Sequence, residues 1–181
     1  MSSIVTPLSK VKIETYYIPR HGFIPNSDPT SKPLIYYKSL FQKGASKAAI
    51  KDHINSLKVV EAQWTYTMYP TTHFHTTSHE AIIVLSGGAL LLFGGESNPA
   101  RVELEVKAGD ALLIPAGVSH KQVKEIGLEV FDMMGAYPVN AEHWDMCYGL
   151  KEEGNTEARI KQLDWFTKDP FYGENGPAVK V

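Results

Sequence analysis

The sequence predicts an all-β protein of the sandwich or barrel type, and three observations carry that prediction. From residue 59 to about 138 short apolar runs follow one another at close intervals, glycine, proline and aspartate punctuate them, and no helical period interrupts the series. A parallel α/β sheet would need a helix between successive strands, so this pattern excludes it. The 181 residues fit one domain, 1–181, with a single substantial core.

The elements follow in order. "VKIETYYI" (11–18) alternates loosely and reads as a strand, and "PRHGFIPNSDPTSKP" after it is a loop rich in turn formers. Residues 1–58 are expected to be an N-terminal arm and one helix preceding the barrel. In "SKAAIKDHINSLK", Ala49, Ile50, His53, Ile54 and Leu57 fall on one arc and Lys47, Lys51, Asn55 and Lys58 on the other, which defines that helix. His53 lies on its apolar side, where a histidine with a backbone partner is the expected reading.

The barrel strands are then "VVEAQWTYTM", "EAIIVLSG", "ALLLFG", "RVELEV", "ALLIPAG", "HKQVKEI" and "LEVFDMMGAY". "RVELEV" alternates and should have one wet face, whereas "AIIVL" and "ALLLF" are apolar throughout and should be covered on both sides. Residues 139–181 carry Trp144, Tyr148, Trp165, Phe171 and Tyr172, too many aromatics for a disordered linker. They are expected to wrap the barrel irregularly, with a helical turn or two in "TEARIKQLDWF".

Charge and composition narrow the function. With 18 Lys+Arg against 20 Asp+Glu there is no basic field for a phosphate backbone, so nucleic acid is not an expected partner. The start "MSSIVTPLSKVKIE" lacks the features of a secretory signal, and no stretch of about 18 apolar residues occurs; the expectation is a cytoplasmic protein without a membrane partner. The single cysteine, Cys147, has no second cysteine for a disulfide or a zinc pair and reads as a small buried apolar residue.

The chemistry concentrates in "HFHTTSHEAIIVLSGG" (73–88). In an extended segment His73 and His75 point the same way, offering two imidazole nitrogens side by side, and Glu80 can bring a carboxylate at the start of the next strand. The segment "GDALLIPAGVSH" adds His120 after turns at Gly109 and at Pro115 and Gly117. Three imidazoles and one carboxylate suit a divalent first-row metal, and an octahedral ion held by four groups keeps two positions open. His79 is a possible competitor beside Glu80, although strand alternation directs it away. His21 and His143, in polar loops, read as bystanders.

The string H-x-H-x4-E-x6-G from His73 to Gly87, followed by G-x5-P-x-G-x2-H from Gly109 to His120, resembles the two signature motifs of the cupin superfamily. Thr67 stands where a glycine usually precedes the first motif, and Lys124 where an asparagine usually closes the second; neither is a ligand position. The resemblance implies an antiparallel double-stranded β-helix, a jelly-roll barrel spanning about 59–138, with metal ligands His73, His75, Glu80 and His120 at one end. It also implies pairing of two chains into a homodimer.

Trp64 and Tyr66 share a strand face, with Tyr66 a candidate proton donor; Gln122 should share the inward face of His120, and Met133 should close the far wall with Phe131. Trp64, Gln122 and Met133 are therefore candidate substrate contacts, and Tyr66 and Glu80 candidate catalytic groups. The expected function is a metal-dependent enzyme acting on a small organic molecule. One version is a non-haem Fe(II) dioxygenase; the other uses a Lewis-acidic ion for isomerisation, decarboxylation or cyclisation. One divalent ion per chain is expected, Fe(II) ahead of Mn(II), Ni(II) and Zn(II). The alternative is a non-catalytic cupin that binds or stores a small molecule.

Overall fold

The computed structural model describes residues 3–181. Its strands are β1 (Lys12–Tyr16), β2 (Leu34–Lys38), β3 (Val60–Tyr66), β4 (Glu80–Ser86), β5 (Gly88–Phe93), β6 (Val102–Lys107), β7 (Ala111–Ile114), β8 (His120–Ile126) and β9 (Asp132–Pro138), with helices α1 (Lys47–Ser56) and α2 (Thr156–Ile160). They form a six-stranded sheet in the order β1-β2-β7-β4-β9-β3 facing a three-stranded sheet in the order β6-β5-β8, and each strand pairing is antiparallel. This is the all-β jelly-roll barrel that the strand pattern and the paired motifs predict. The large sheet reaches beyond residues 59–138, because the arm contributes β1 and β2 to its edge.

Side-chain alternation divides the large sheet between two cores. Ile82 and Val84 of β4, Leu112 and Ile114 of β7 and Met133 of β9 face inward and meet Ala89, Leu91 and Phe93 of β5 and Leu104 and Val106 of β6. Ala81 and Ile83, Ala111 and Leu113, and Met134 and Ala136 face outward, where Ile50 and Ile54 of α1 and Phe171 and Ala178 of the C-terminal extension cover them. Such double cover explains why "AIIVL" is apolar at every position. In "ALLLF" Leu90 is only half-buried.

The extension is anchored by a buried polar node. Asp169 accepts hydrogen bonds from the Tyr37 hydroxyl (2.7 Å) and from the backbone N–H groups of Phe171, Tyr172 and Ala178 (2.9, 3.0 and 3.0 Å). Phe171 then sets its ring edge-on to Tyr37, centroids 4.9 Å apart. The helix α1 starts where Ser46 accepts from the Ala49 N–H, and His53 finds its expected backbone partner in the Phe171 carbonyl at 2.9 Å. The helical turns expected in "TEARIKQLDWF" shorten to α2, which is capped by Asn155.

Candidate metal centre

The two motif loops pair with each other through the backbone. His73 and His120 exchange both N–H···O bonds (3.2 and 2.8 Å), and the Gly117 N–H donates to the His75 carbonyl at 2.9 Å. Gly117 holds φ +92°, a conformation in which a side chain is strained, and a Cβ there would press on the Asn26 carbonyl and Ile160. The tight turn it permits delivers His120 to the head of β8, opposite the His73-x-His75 segment.

The result is a buried cluster in which one ring nitrogen from each of His73, His75 and His120 lies within 4.8 Å of the others. Glu80, the first residue of β4 and on its inward face, brings Oε2 to 3.2 Å from His120 Nε2 and 3.5 Å from His75 Nε2. The opposite nitrogen of each ring is committed to the backbone: His73 Nδ1 to the Thr71 carbonyl (2.8 Å), His120 Nδ1 to the Val118 carbonyl (3.1 Å) and His75 Nδ1 to the Asp145 carbonyl. A carbonyl only accepts, so each Nδ1 carries the proton and each neutral ring turns an Nε2 lone pair inward.

Lone pairs of three imidazoles therefore converge with Glu80 Oε2, a buried oxygen that has no hydrogen-bond donor. Such a set repels itself unless a cation stands among its members. Donors at adjacent corners of an octahedral ion with bonds of about 2.1 Å stand about 3 Å apart, close to the Glu80 spacings. The residues present thus fit one divalent metal ion.

Electrostatics agree with that fit. Burial works to raise the Glu80 pKa, but the His75 and His120 imidazoles outweigh it and hold the carboxyl well below its usual range. Burial, seconded by His120, pushes His73 down to about 3, which leaves it neutral and able to ligate. For His75 burial opposes the charged form, yet Glu80 wins and the net direction is upward. Without a metal, a proton is the cation this site would draw in.

Above the cluster opens a cavity of about 370 Å³ lined by Trp64, Tyr66, Met68, Tyr69, Met133 and Trp144, with Ile82, Met146 and Tyr137 deeper or alongside. No lysine or arginine lines it among the described residues. Trp64 and Met133 stand on its wall as the strand parity predicts, and Tyr66 lies at the mouth, 58% exposed. Gln122 does not line it: β8 is an edge strand, and there the Gln122 amide oxygen is captured by the Thr67 hydroxyl at 2.8 Å. Phe131 is buried in the inner core and is not a cavity wall.

The remaining histidines stay clear of the cluster. His79 is buried on the outer side of the sheet, where Nδ1 accepts from the Ala116 N–H (2.9 Å) and the ring packs on Trp165 and Phe166. His21 bonds to Ser97, and His143 is exposed and stacks on Trp144. Cys147 is a buried free thiol.

Sequence reasoning missed Tyr137 and the part played by residues 143–147. Tyr137 of β9 donates its hydroxyl proton to Glu80 Oε1 at 2.5 Å and accepts from Trp64 Nε1 at 2.8 Å. Burial, and then the Glu80 charge, push its pKa far up, so it keeps its proton. Residues 143–147 form a strap across the site: Cys147 bridges to Phe74 through two backbone bonds, Trp144 and Met146 face the cavity, and the Asp145 carbonyl orients His75. The Asp145 carboxylate locks the strap by accepting from Thr76 N–H (2.6 Å), Thr76 Oγ1 (2.5 Å) and Thr77 N–H (3.3 Å). The density of aromatics after residue 139 is the one local signal that the tail has a packing role, and it does not point to the metal.

A two-sheet β-barrel with a buried histidine cluster inside one end defines the class as an all-β barrel with a candidate metal site. Comparison with known proteins agrees and specifies the class. The family described as "Cupin domain" matches residues 65–125. A Bacillus subtilis (strain 168) protein named "Uncharacterized protein YjlB" is 32% identical over 169 residues, covering 93% of this chain and 95% of that one. The chain belongs to the cupin superfamily. Among solved structures it is similar to a deletion mutant of Bacillus subtilis oxalate decarboxylase OxdC (17% identity, 64% of this chain, TM-score 0.40) and to the coconut allergen cocosin (12% identity, 79% of this chain, TM-score 0.37). The chain spans only 28% and 29% of the length of those two proteins. Among the described residues no helix is long and apolar enough to cross a membrane.

Proposed function

We propose that this cupin is a metal-dependent enzyme of the non-haem Fe(II) dioxygenase type, acting on a small neutral ring compound that chelates through adjacent oxygens. The observation that carries the reading is the set of three backbone-fixed imidazoles and one carboxylate oxygen without a protein hydrogen-bond donor, converging beneath an aromatic cavity. His73, His75, His120 and Glu80 would hold the ion. When bound, Fe(II) supplies Lewis acidity toward an enolate or catecholate oxygen and redox chemistry with dioxygen.

The protein's own groups do the rest. Trp64, Tyr69, Met133 and Trp144 offer flat and polarisable surface to a ring, and about 370 Å³ accommodates one small molecule. A free carboxylate on the substrate would enter without a counter-charge, which disfavours acids that lack another recognition element. Tyr66 at the mouth can donate a hydrogen bond to an entering substrate oxygen. The Glu80 carboxylate, kept ionised, lowers the net charge of the site and favours a ligand that gives up one proton on binding. The apolar wall excludes water.

The test is elemental analysis of protein purified without added metal, alongside H75A and E80A, followed by oxygen uptake with a panel of catechols and enolisable diketones. Iron near one per chain, lost in both variants, together with substrate-dependent oxygen uptake is the expected result. Well-folded protein that retains no metal overturns the reading. Manganese, nickel or zinc without oxygen uptake replaces the dioxygenase with Lewis-acid chemistry.

A further inference from the structure

We propose that Tyr137, braced by the Trp64 indole, is a positioning residue that keeps Glu80 a one-oxygen ligand and thereby holds a coordination position open for an incoming molecule. The inference rests on the metal-site reading above and concerns how that site stays available.

The hydrogen bonds leave the Tyr137 hydroxyl no choice of direction. An indole N–H can only donate, so at 2.8 Å it occupies a lone pair of the Tyr137 oxygen, and the single hydroxyl proton goes to Glu80 Oε1 at 2.5 Å. Glu80 is thereby divided: Oε1 is spent on tyrosine, and Oε2 faces His75 and His120. For the carboxylate to present both oxygens to one ion, Oε1 must either divide its lone pairs between Tyr137 and the metal, which weakens both bonds, or leave Tyr137 and strand a hydroxyl that has no other acceptor among the described residues.

The backbone is built around this arrangement. Tyr137, Gly135 and Met133 share the inward parity of β9, and Gly135 pairs with Trp64 of β3 across a bulge between Ala62 and Trp64. The indole lies where a Gly135 Cβ would be, so the missing side chain is what admits it and brings its N–H to the Tyr137 hydroxyl. The nearby ring of Trp144 stacks on Tyr137 from the strap, 20° from parallel, and closes the remaining side.

The count of coordination positions gives the arrangement its consequence. Three imidazoles and one carboxylate oxygen leave two of six positions, enough for a substrate that binds through two oxygens or for a substrate and a second small molecule. A two-oxygen Glu80 would leave one.

The experiment loads the full-length protein with cobalt(II), in wild-type, Y137F and W64F forms, and titrates azide while recording the visible absorption of the metal. Y137F is expected to hold one cobalt per chain with altered absorption bands and to bind azide about tenfold more weakly than wild type. W64F, which keeps the tyrosine but loses its brace, should show a smaller weakening in the same direction. Wild-type azide affinity and unchanged bands in Y137F would overturn the inference while leaving the metal site intact. Wild-type protein that takes up no cobalt would overturn the metal reading and this inference with it. Should Y137F fail to fold, W64F decides: unchanged azide affinity there counts against the role proposed.

Discussion

Removal of the Asp145 carboxylate tests how far the C-terminal strap supports the centre. Asp145→Ala deletes the acceptor for Thr76 N–H, Thr76 Oγ1 and Thr77 N–H, at 2.6, 2.5 and 3.3 Å, and Thr76 is fully buried. Hydrogen bonds to a charged group contribute about 1.5–3 kcal/mol each, but these three share one acceptor and the longest is weak, so the loss is set at about 3 kcal/mol. For a chain of this size that lowers the melting temperature by roughly 6–12 °C. The same strap orients His75 through the Asp145 carbonyl, and loosening such a support costs about 10–100-fold in metal affinity.

The assay is thermal unfolding of the metal-free protein together with metal titration, for wild type, D145A and D145N. The asparagine retains one acceptor oxygen and should lose less than half as much. Acid adds an independent check. Burial works against the charged carboxylate, but donation from Thr76 prevails and holds its pKa below the usual 3.8. A group whose pKa is lowered by folding contributes stability that is complete above pH 3.8 and disappears as pH falls through the folded value, so D145A should flatten the acid limb. A melting temperature within about 2 °C of wild type and unchanged metal affinity would refute the account.

Other perturbations probe separate parts of the molecule. Phe171→Ala empties a fully buried ring site between the large sheet and the extension and should cost about 3–5 kcal/mol in urea unfolding. Gly135→Ala sets a methyl group against the Trp64 indole and should cost about 1–3 kcal/mol, visible also as a shifted Trp64 indole N–H resonance. The Cys147 thiol is pushed up to about 12 by burial and then by Asp145, so at pH 8 a disulfide reagent should modify it far more slowly in native than in urea-unfolded protein.

What the sequence made legible follows from the range of the interactions involved. His73, His75 and Glu80 lie within eight residues, and His120 follows the turns at Gly109 and Gly117; a short fixed spacing on alternating strands settles direction before any long-range contact is known. The strands were equally open, because apolar runs between turn formers require no partner to be recognised. Tyr137 and Asp145 were hidden because they act across 57 and 70 residues, where no period links donor to acceptor. Gln122 shows the limit of parity: facing the right way on an edge strand does not bring a side chain into the cavity when Thr67 offers a nearer partner.

The apolar strands carry a further implication that reaches from fold to site. Were the large sheet covered only by the small one, Ile35, Tyr37, Ile83, Leu113 and Met134 would meet water on its outer face; α1 and the 165–178 segment cover them instead. The barrel strands alone are therefore an incomplete folding unit, and the chain that completes the outer core is continuous with the strap that runs from His143 to Cys147. Docking of Phe171 against Tyr37 fixes one end of this extension, and Cys147 pairing with Phe74 fixes the other. Immediately before Cys147, Asp145 directs His75, while Trp144 and Met146 wall the cavity. Closing the outer core and shaping the metal centre thus draw on one stretch of chain, so a lesion that frees the tail should weaken metal binding even when it lies far from the imidazoles.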